Sequence, residues 1–272
     1  MLPVLIDLPF VKIYTFGIFL LLAFFWSTFL LWKNFLLTAY KEEDVFDVLF
    51  AGIFGGLLIS RVVYVALHFS EFGLNIPKFI LINGYPGLSL YGFLFGFLGS
   101  TALSMQQSKL KFRDAIDYFT PSAFVALAFG KMGSFFSGVE MGSKTNFLLK
   151  MKVVGAEGFR HLTPLYEGVL FFIGALIAHQ ILFAVRREKY AKGTNLYFLL
   201  WYIALVFGGT DFLKDHQDGL LFGLSFNALL SYVLLLTFSL YFLYYFRSSF
   251  TQYGKNIFKG LHKKTQRSSR KG

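Results

Sequence analysis

The 272-residue chain contains no cysteine. That absence removes disulfides, a thiol nucleophile of its own and every thiolate metal site. Histidine is scarce too: there are five, and no pair of them stands at a zinc-binding spacing. No metal and no cofactor are therefore expected. Charge is the third deficit, 15% of residues where a soluble domain carries about a quarter. Acids number 15 against 26 Lys and Arg, a formal net charge of +11. The basic residues collect in short loops and in the C-terminal tail, the usual flanks of membrane spans, so no nucleic-acid partner is expected.

What fills the chain is apolar. Hydrophobic residues make up 56% and aromatics 20%. Several runs reach the roughly 20 residues that a helix needs to cross a hydrocarbon core. Alternating strands of about 10 residues, which a β-barrel would show, are not seen in the sequence. The expectation is an all-α, polytopic helical membrane protein. Seven spans are read, over residues 13–32, 45–68, 88–105, 115–138, 164–185, 196–213 and 220–246. The first lacks a basic leader and a small-residue cleavage site, so it reads as a retained span. Residues 1–246 form a single transmembrane domain on this reading, and residues 247–272 a basic tail. Residues 77–86 read as a loop, and residues 143–163 as a polar excursion.

Charge placement orients the bundle. About 17 of the 26 Lys and Arg fall in the first, third and fifth interspan loops and the tail, and about seven on the opposite side. The amino terminus is thus expected outside and the carboxyl terminus in the cytoplasm.

Polar residues inside the spans are the candidates for function, because charge in an apolar run is costly. Lys131, Ser134, Ser137 and Glu140 recur at near-helical spacing among Gly130, Gly133, Gly138 and Gly142. Arg61, Tyr64 and His68 fall on one helix face. Neither Arg61 nor Lys131 has an evident acidic partner in its own helix, which points to an anionic ligand, a lipid phosphate being the natural one. Glu167, one residue after Tyr166, is placed to neutralise either cation or to act in chemistry. His161 stands in the preceding loop, and Tyr91 lies between small residues in the third span. Asp211 and Lys214, at i and i+3, read as a local ion pair. Ser225 or Asn227 caps the last span.

Taken in order, these motifs resemble the bacterial prolipoprotein diacylglyceryl transferase family. Gly130-Lys131-Met132-Gly133-Ser134-Phe135-Phe136-Ser137-Gly138-Val139-Glu140-Met141-Gly142 follows the family's G-R-x-G-N-F-x-N-x-E-x-x-G, with Asp117 and Pro121 in the D-x-x-x-P ahead of it. Ser60 to Val65 is similar to G-x-R-x-x-Y-V, Arg160 to Glu167 to R-H-P-x-Q-L-Y-E, and Gly223 to Phe226 to G-L-S-x-G-Q. Lys131 stands where the family has Arg, Ser134 and Ser137 where it has Asn, and Tyr91 where it has His. The family's Glu position holds Val139, with Glu140 following, and Phe207 replaces the first arginine of R-F-x-x-E-F-x-R.

The resemblance implies a multi-pass protein of the bacterial cytoplasmic (inner) membrane. It implies transfer of a diacylglyceryl group from phosphatidylglycerol to the lipobox cysteine of preprolipoproteins. Membrane lipids and those precursors are the implied partners. Carried over residue by residue, it makes Arg61, Lys131, Ser134 and Glu140 the phosphate-binding group. Tyr64, Ser137, Gly142 and Tyr166 support them, and Tyr91, Glu167 or His161 serves as base. A silent relative that binds anionic lipid or precursor without transfer is the second reading.

Overall fold

Residues 2–8, 10, 12–82, 84–108, 110–152, 157–215 and 224–247 are the part of the chain that the computed structural model describes. Gly223, the first residues of the expected last span and residues 248–272 of the tail lie outside the described residues.

The chain opens with a short antiparallel pair, β1 (Val4–Asp7) and β2 (Lys12–Tyr14). Helix α1 (Thr15–Phe35) follows, an almost unbroken apolar run with Lys33 in its last turn, where a cation complements the helix dipole. Helix α2 (Glu42–Leu67) starts on three acids, Glu42, Glu43 and Asp44, which favour the positive end of the dipole. Two short helices come next, α3 (Phe69–Phe72) and α4 (Ile76–Ile80), so the expected loop at 77–86 is partly helical. Helix α5 (Leu90–Gln107) is N-capped by Ser89, whose Oγ accepts from the Gly92 amide at 3.2 Å. Helix α6 (Phe112–Ser137) stops at Gly138, held in the left-handed region at φ 76°.

A second antiparallel pair, β3 (Lys150–Lys152) and β4 (Phe159–His161), lies within the polar excursion. Helix α7 (Thr163–Arg186) begins on Thr163-Pro164, where proline's missing N–H costs no hydrogen bond. Helix α8 (Thr194–Thr210) runs into a 3-10 turn, Asp211–Leu213. Helix α9 (Phe226–Tyr245) takes Ser225 as its N-cap, the Ala228 amide donating to Oγ at 3.0 Å. The protein is mostly helical, and two short strand pairs and two isolated β-bridges depart from the all-α expectation.

Five helices are long and apolar enough to cross a membrane by length and composition: α1, α2, α7, α8 with its following turn, and α9. Helices α5 and α6 belong to the same bundle. Helix α2 packs on α5, α1 on α6, α6 on α7, α7 on α8 and α8 on α9. Helix α8 is the most buried of the five and forms the bundle's centre, while α1 and α9 turn most of their surface outward. The aromatic core lies where α6, α7 and α8 meet. Phe124 packs against Phe171 and Phe198 at tilted angles and edge-on against Tyr202, with ring centroids 6.3, 5.7 and 5.4 Å away.

Helix α6 passes through Pro121 without breaking. Proline has no N–H to offer the carbonyl four residues back, and its ring crowds that turn. The carbonyl so freed is that of Asp117, and it accepts instead from Asn195 Nδ2 at 3.0 Å. The Asp117 carboxylate caps α8 from outside, accepting from the amides of Gly193, Asn195 and Leu196 at 2.6, 3.0 and 3.2 Å. Asn195 also donates to the Ala178 carbonyl at 3.1 Å. One buried knot thus fixes α6, α7 and α8 relative to one another. The candidate residues Lys131 and Glu167 sit at the other end of this helix group.

Candidate active site

Lys131 occupies the penultimate turn of α6, with Ser134 following at the spacing that keeps it on the same helix face. Gly138 then turns the chain back. Three residues past the helix, the carboxylate of Glu140 returns to Lys131, Oε2 lying 2.6 Å from Nζ. Its other oxygen lies 3.5 Å from Ser134 Oγ, at the limit of a hydrogen bond.

Glu167 enters from the first turns of α7. It is fully buried. Oε2 lies 2.8 Å from Lys131 Nζ, and Oε1 lies 2.7 Å from Lys214 Nζ, with Thr210 Oγ1 donating to Oε1 at 2.6 Å. Thr210 ends α8 and Lys214 follows the 3-10 turn. Both ammonium groups also lie over the ring of Phe207, 5.1 Å for Lys131 and 4.8 Å for Lys214. Two ammoniums and two carboxylates therefore make a neutral cluster, fed by α6, the loop after it, α7 and α8. Neutrality matters because a single unpaired charge at such a site costs several kcal/mol, about 3–5 when one partner is removed.

The excursion between α6 and α7 is stitched to the end of α8 beside this cluster. Gly142 bridges to Lys214, the Ser143 amide donates to the Leu213 carbonyl at 2.8 Å, and Thr163 Oγ1 donates to the same carbonyl at 2.9 Å. Arg160 donates to the Gly142 carbonyl at 3.1 Å and pairs with Asp215. Gly142 is required by space: a Cβ there would sit 2.4 Å from the His161 carbonyl oxygen. His161 is thereby held against the same strip. Its Nδ1 is buried and has no hydrogen-bond partner among the described residues.

The other expected residues lie apart from the cluster, Ser137 and Tyr166 near it, Tyr91 in a second place and Arg61 in a third. Ser137 turns back on its own helix, donating to the Gly133 carbonyl at 2.7 Å. Tyr166 donates to the Leu149 carbonyl at 2.7 Å and ties the start of α7 to the excursion. Tyr91 is buried between α5 and α9, its Oη 2.5 Å from Ser231 Oγ. Arg61 is buried and heads a third group. Its Nε donates to the Phe79 carbonyl at 2.9 Å, Nη1 to Gly87 at 2.8 Å and Nη2 to Lys78 at 2.7 Å. The guanidinium lies 5.0 Å from the Phe72 ring centroid and 6.0 Å from that of Tyr64. Tyr64 in turn stacks on His68, centroids 4.2 Å apart, and closes over Gly87, whose φ is +146° and where a Cβ would lie 2.1 Å from the ring. So the arginine expected to meet an anion is engaged with backbone carbonyls of the α3–α5 segment.

Of the two cations to which the sequence could assign Glu167, the structure pairs it with Lys131. It adds a second, Lys214, for which the i, i+3 spacing suggests a local pair with Asp211. Lys214 turns to Glu167, while Asp211 Oδ1 accepts from Ser225 Oγ at 2.8 Å. A signal for this was present: Phe207, Thr210 and Lys214 stand at i, i+3 and i+7 and share one face.

The architecture and the cluster define an integral membrane protein with a polar, charge-balanced site at one end of its helical core. The chain belongs to the prolipoprotein diacylglyceryl transferase family, whose model matches residues 3–245. Among its relatives is the phosphatidylglycerol–prolipoprotein diacylglyceryl transferase of Geobacter sulfurreducens, 29% identical over 202 residues, which are 73% of this chain and 76% of that protein. A protein of the same name from Clostridium tetani is 26% identical over 223 residues, 80% of this chain and 87% of its own. A third, from Clostridium novyi, is 28% identical over 202 residues, 68% and 76% of the two chains.

Proposed function

We propose that this chain is a transferase that moves the diacylglyceryl group of phosphatidylglycerol onto the lipobox cysteine of prolipoproteins, and that it works in the bacterial cytoplasmic membrane. The observation that carries the reading for this chain is the cluster of Lys131, Glu167 and Lys214 at the meeting of α6, α7 and α8. In the reaction, the cysteine sulfur bonds to the glycerol carbon that bears the phosphate, and that C–O bond breaks. Glycerol phosphate leaves with the electron pair, and the thiol proton passes to a base. The phosphate goes from a singly charged diester towards a doubly charged monoester. Ammonium groups fixed beside it stabilise that developing charge more than the starting charge. Lys131 and Lys214 suit this task, and Ser134 adds a hydroxyl on the Lys131 face.

For the base, the surroundings favour His161 among the three candidates. Glu167 is committed to two ammoniums and a hydroxyl, and the Tyr91 hydroxyl to Ser231. His161 keeps a ring nitrogen without a hydrogen-bond partner among the described residues, on the strip joined to the cluster. Arg61 and Tyr64 act as a clamp on the segment between α2 and α5, and Gly142 and Tyr166 hold the excursion over the site.

We further read residues 1–246 as a single seven-span domain, with α5 and α6 joining the five apolar helices. The amino terminus lies outside, and residues 247–272 form a basic cytoplasmic tail. The distribution of Lys and Arg supports this orientation, and it puts the cluster towards the outer face, where exported precursors arrive. The direct test supplies the protein, in membranes depleted of the host transferase, with a lipobox peptide. A mass gain of one diacylglyceryl unit on the peptide is expected. Inserted protein that yields none overturns the transferase reading.

A further inference from the structure

The two carboxylates on Lys131 are not equivalent. Glu167 is rooted in α7, fully buried, and fixed from two other directions by Lys214 and Thr210. Glu140 sits on the short loop after Gly138, with 41% of its side chain exposed. Its neighbours Val139 and Met141 are exposed too. Beyond Lys131, its one other polar side-chain contact among the described residues is the 3.5 Å approach to Ser134. A buried ammonium needs a counter-ion, and Glu140 supplies one that is tied down only at its ammonium end.

Charge counting gives this asymmetry a meaning. Without Glu140, the pair of lysines and Glu167 would carry a net single positive charge, facing the loop. A phosphodiester carries a single negative charge. Replacing one by the other leaves the cluster neutral both before the exchange and with the diester bound. We propose that the Glu140 carboxylate is an internal stand-in for the substrate phosphate: it occupies the anion position on Lys131 and Ser134 and yields it to the incoming lipid. This rests on the transferase reading for the identity of the natural anion, though the anion position itself is defined by Lys131, Lys214 and Ser134.

The loop that carries Glu140 is held at both ends. Gly138 holds a positive φ at the start of the loop, and Gly142 is pinned at its end against His161 and Lys214. Between them the Glu140 side chain can swing outward into the space it already half occupies, leaving both anchors in place. Glu140 then acts as a competitive inhibitor built into the chain. It lowers affinity for the anion, offsets the excess positive charge of the two lysines over Glu167, and speeds departure of the glycerol phosphate product by returning to its place.

The test separates anion binding from transfer. The detergent-purified protein is titrated with inorganic phosphate while thermal unfolding is followed, for the native chain, Glu140→Gln and Glu140→Asp. Glu140→Gln removes the competing charge but leaves Lys131 its pairing with Glu167, so folding is retained. Its apparent Kd for phosphate is expected to fall about tenfold, the scale of one close charge, with Glu140→Asp intermediate. Adding Lys131→Met to Glu140→Gln should abolish the gain. In the transfer assay the KM for phosphatidylglycerol should fall in Glu140→Gln by a similar factor. An unchanged or raised phosphate Kd in Glu140→Gln, or no phosphate stabilisation of that variant at all, overturns the proposal. Absence of transfer by the native chain would instead strike the transferase reading, and the phosphate titration still decides the role of Glu140.

Discussion

Lys131 on α6 and Glu167 on α7 meet at 2.8 Å, and each has a second partner, Glu140 for Lys131 and Lys214 for Glu167, whereas Lys214 pairs with Glu167 alone among the described residues. Removing Lys131 leaves Glu167 with Lys214 and Thr210, and leaves Glu140 half-exposed to find water. Removing the Glu167 charge deprives Lys214 of the carboxylate it pairs with. Glu167→Gln should therefore destabilise the bundle by about 3 kcal/mol and Lys131→Met by about 1 kcal/mol. The double variant should cost less than the sum, with a coupling of about 1–2 kcal/mol. Thermal unfolding in one detergent across the four proteins measures all of this. Equal costs for the two single variants would contradict the asymmetry.

How much of this was legible in the sequence differs by level. Long apolar runs bounded by polar residues located the helices to within a few residues, since residues 45–68 became Glu42–Leu67 and residues 13–32 became Thr15–Phe35. The short elements were hidden: four or five residues such as Phe69–Phe72 carry too little periodicity to read as a helix. At the site, Lys131 and Glu167 stood out because charge in apolar surroundings is rare, but their pairing is tertiary. Lys214 was assigned locally because an acid three residues away offers an obvious partner, and only the approach of α7 to the end of α8 overrides it. For Arg61 the sequence points to an anion, and it does not display the backbone carbonyls that its guanidinium meets in the structure.

The Asp117 knot predicts an unusual rescue. Asn195→Leu leaves the Asp117 and Ala178 carbonyls without the donor that serves both, at a cost of about 2–3 kcal/mol. Pro121→Ala restores a backbone N–H able to donate to the Asp117 carbonyl within α6. In the Pro121→Ala background, Asn195→Leu should cost about 1 kcal/mol less. A double-mutant cycle on thermal stability checks it, and strict additivity would mean that the freed carbonyl is not what Asn195 serves.

Arg61 should behave as a clamp. Arg61→Ala removes three charge-assisted donors from the segment between α2 and α5, and leaves the carbonyls of Lys78, Phe79 and Gly87 without them. Protease cleavage and amide exchange within residues 69–87 should rise at least tenfold, with a stability loss of about 3 kcal/mol. Arg61→Lys keeps the charge but loses the planar fork, and should recover only part of the protection. Unchanged cleavage in Arg61→Ala would release Arg61 from this role and return it to the anion-binding expectation.

The α2–α5 seam gives the sharpest packing test. In a bilayer the association of two helices rests on close van der Waals contact, which small residues permit. A Cβ at Gly55 would lie 1.8 Å from Ser100 Oγ and 2.5 Å from Ser100 Cβ, and the next neighbour is the Gly96 carbonyl oxygen at 3.6 Å, an ordinary contact. Gly55→Ala alone must push the helices apart, at a cost of about 2 kcal/mol or more. Ser100→Gly removes both offending atoms. The pair Gly55→Ala with Ser100→Gly should regain most of the lost stability, because the added methyl then fills the space that the serine vacated. Thermal unfolding of the two single variants and the double in the same micelle decides the matter: a double variant no more stable than Gly55→Ala would show that the helices meet elsewhere.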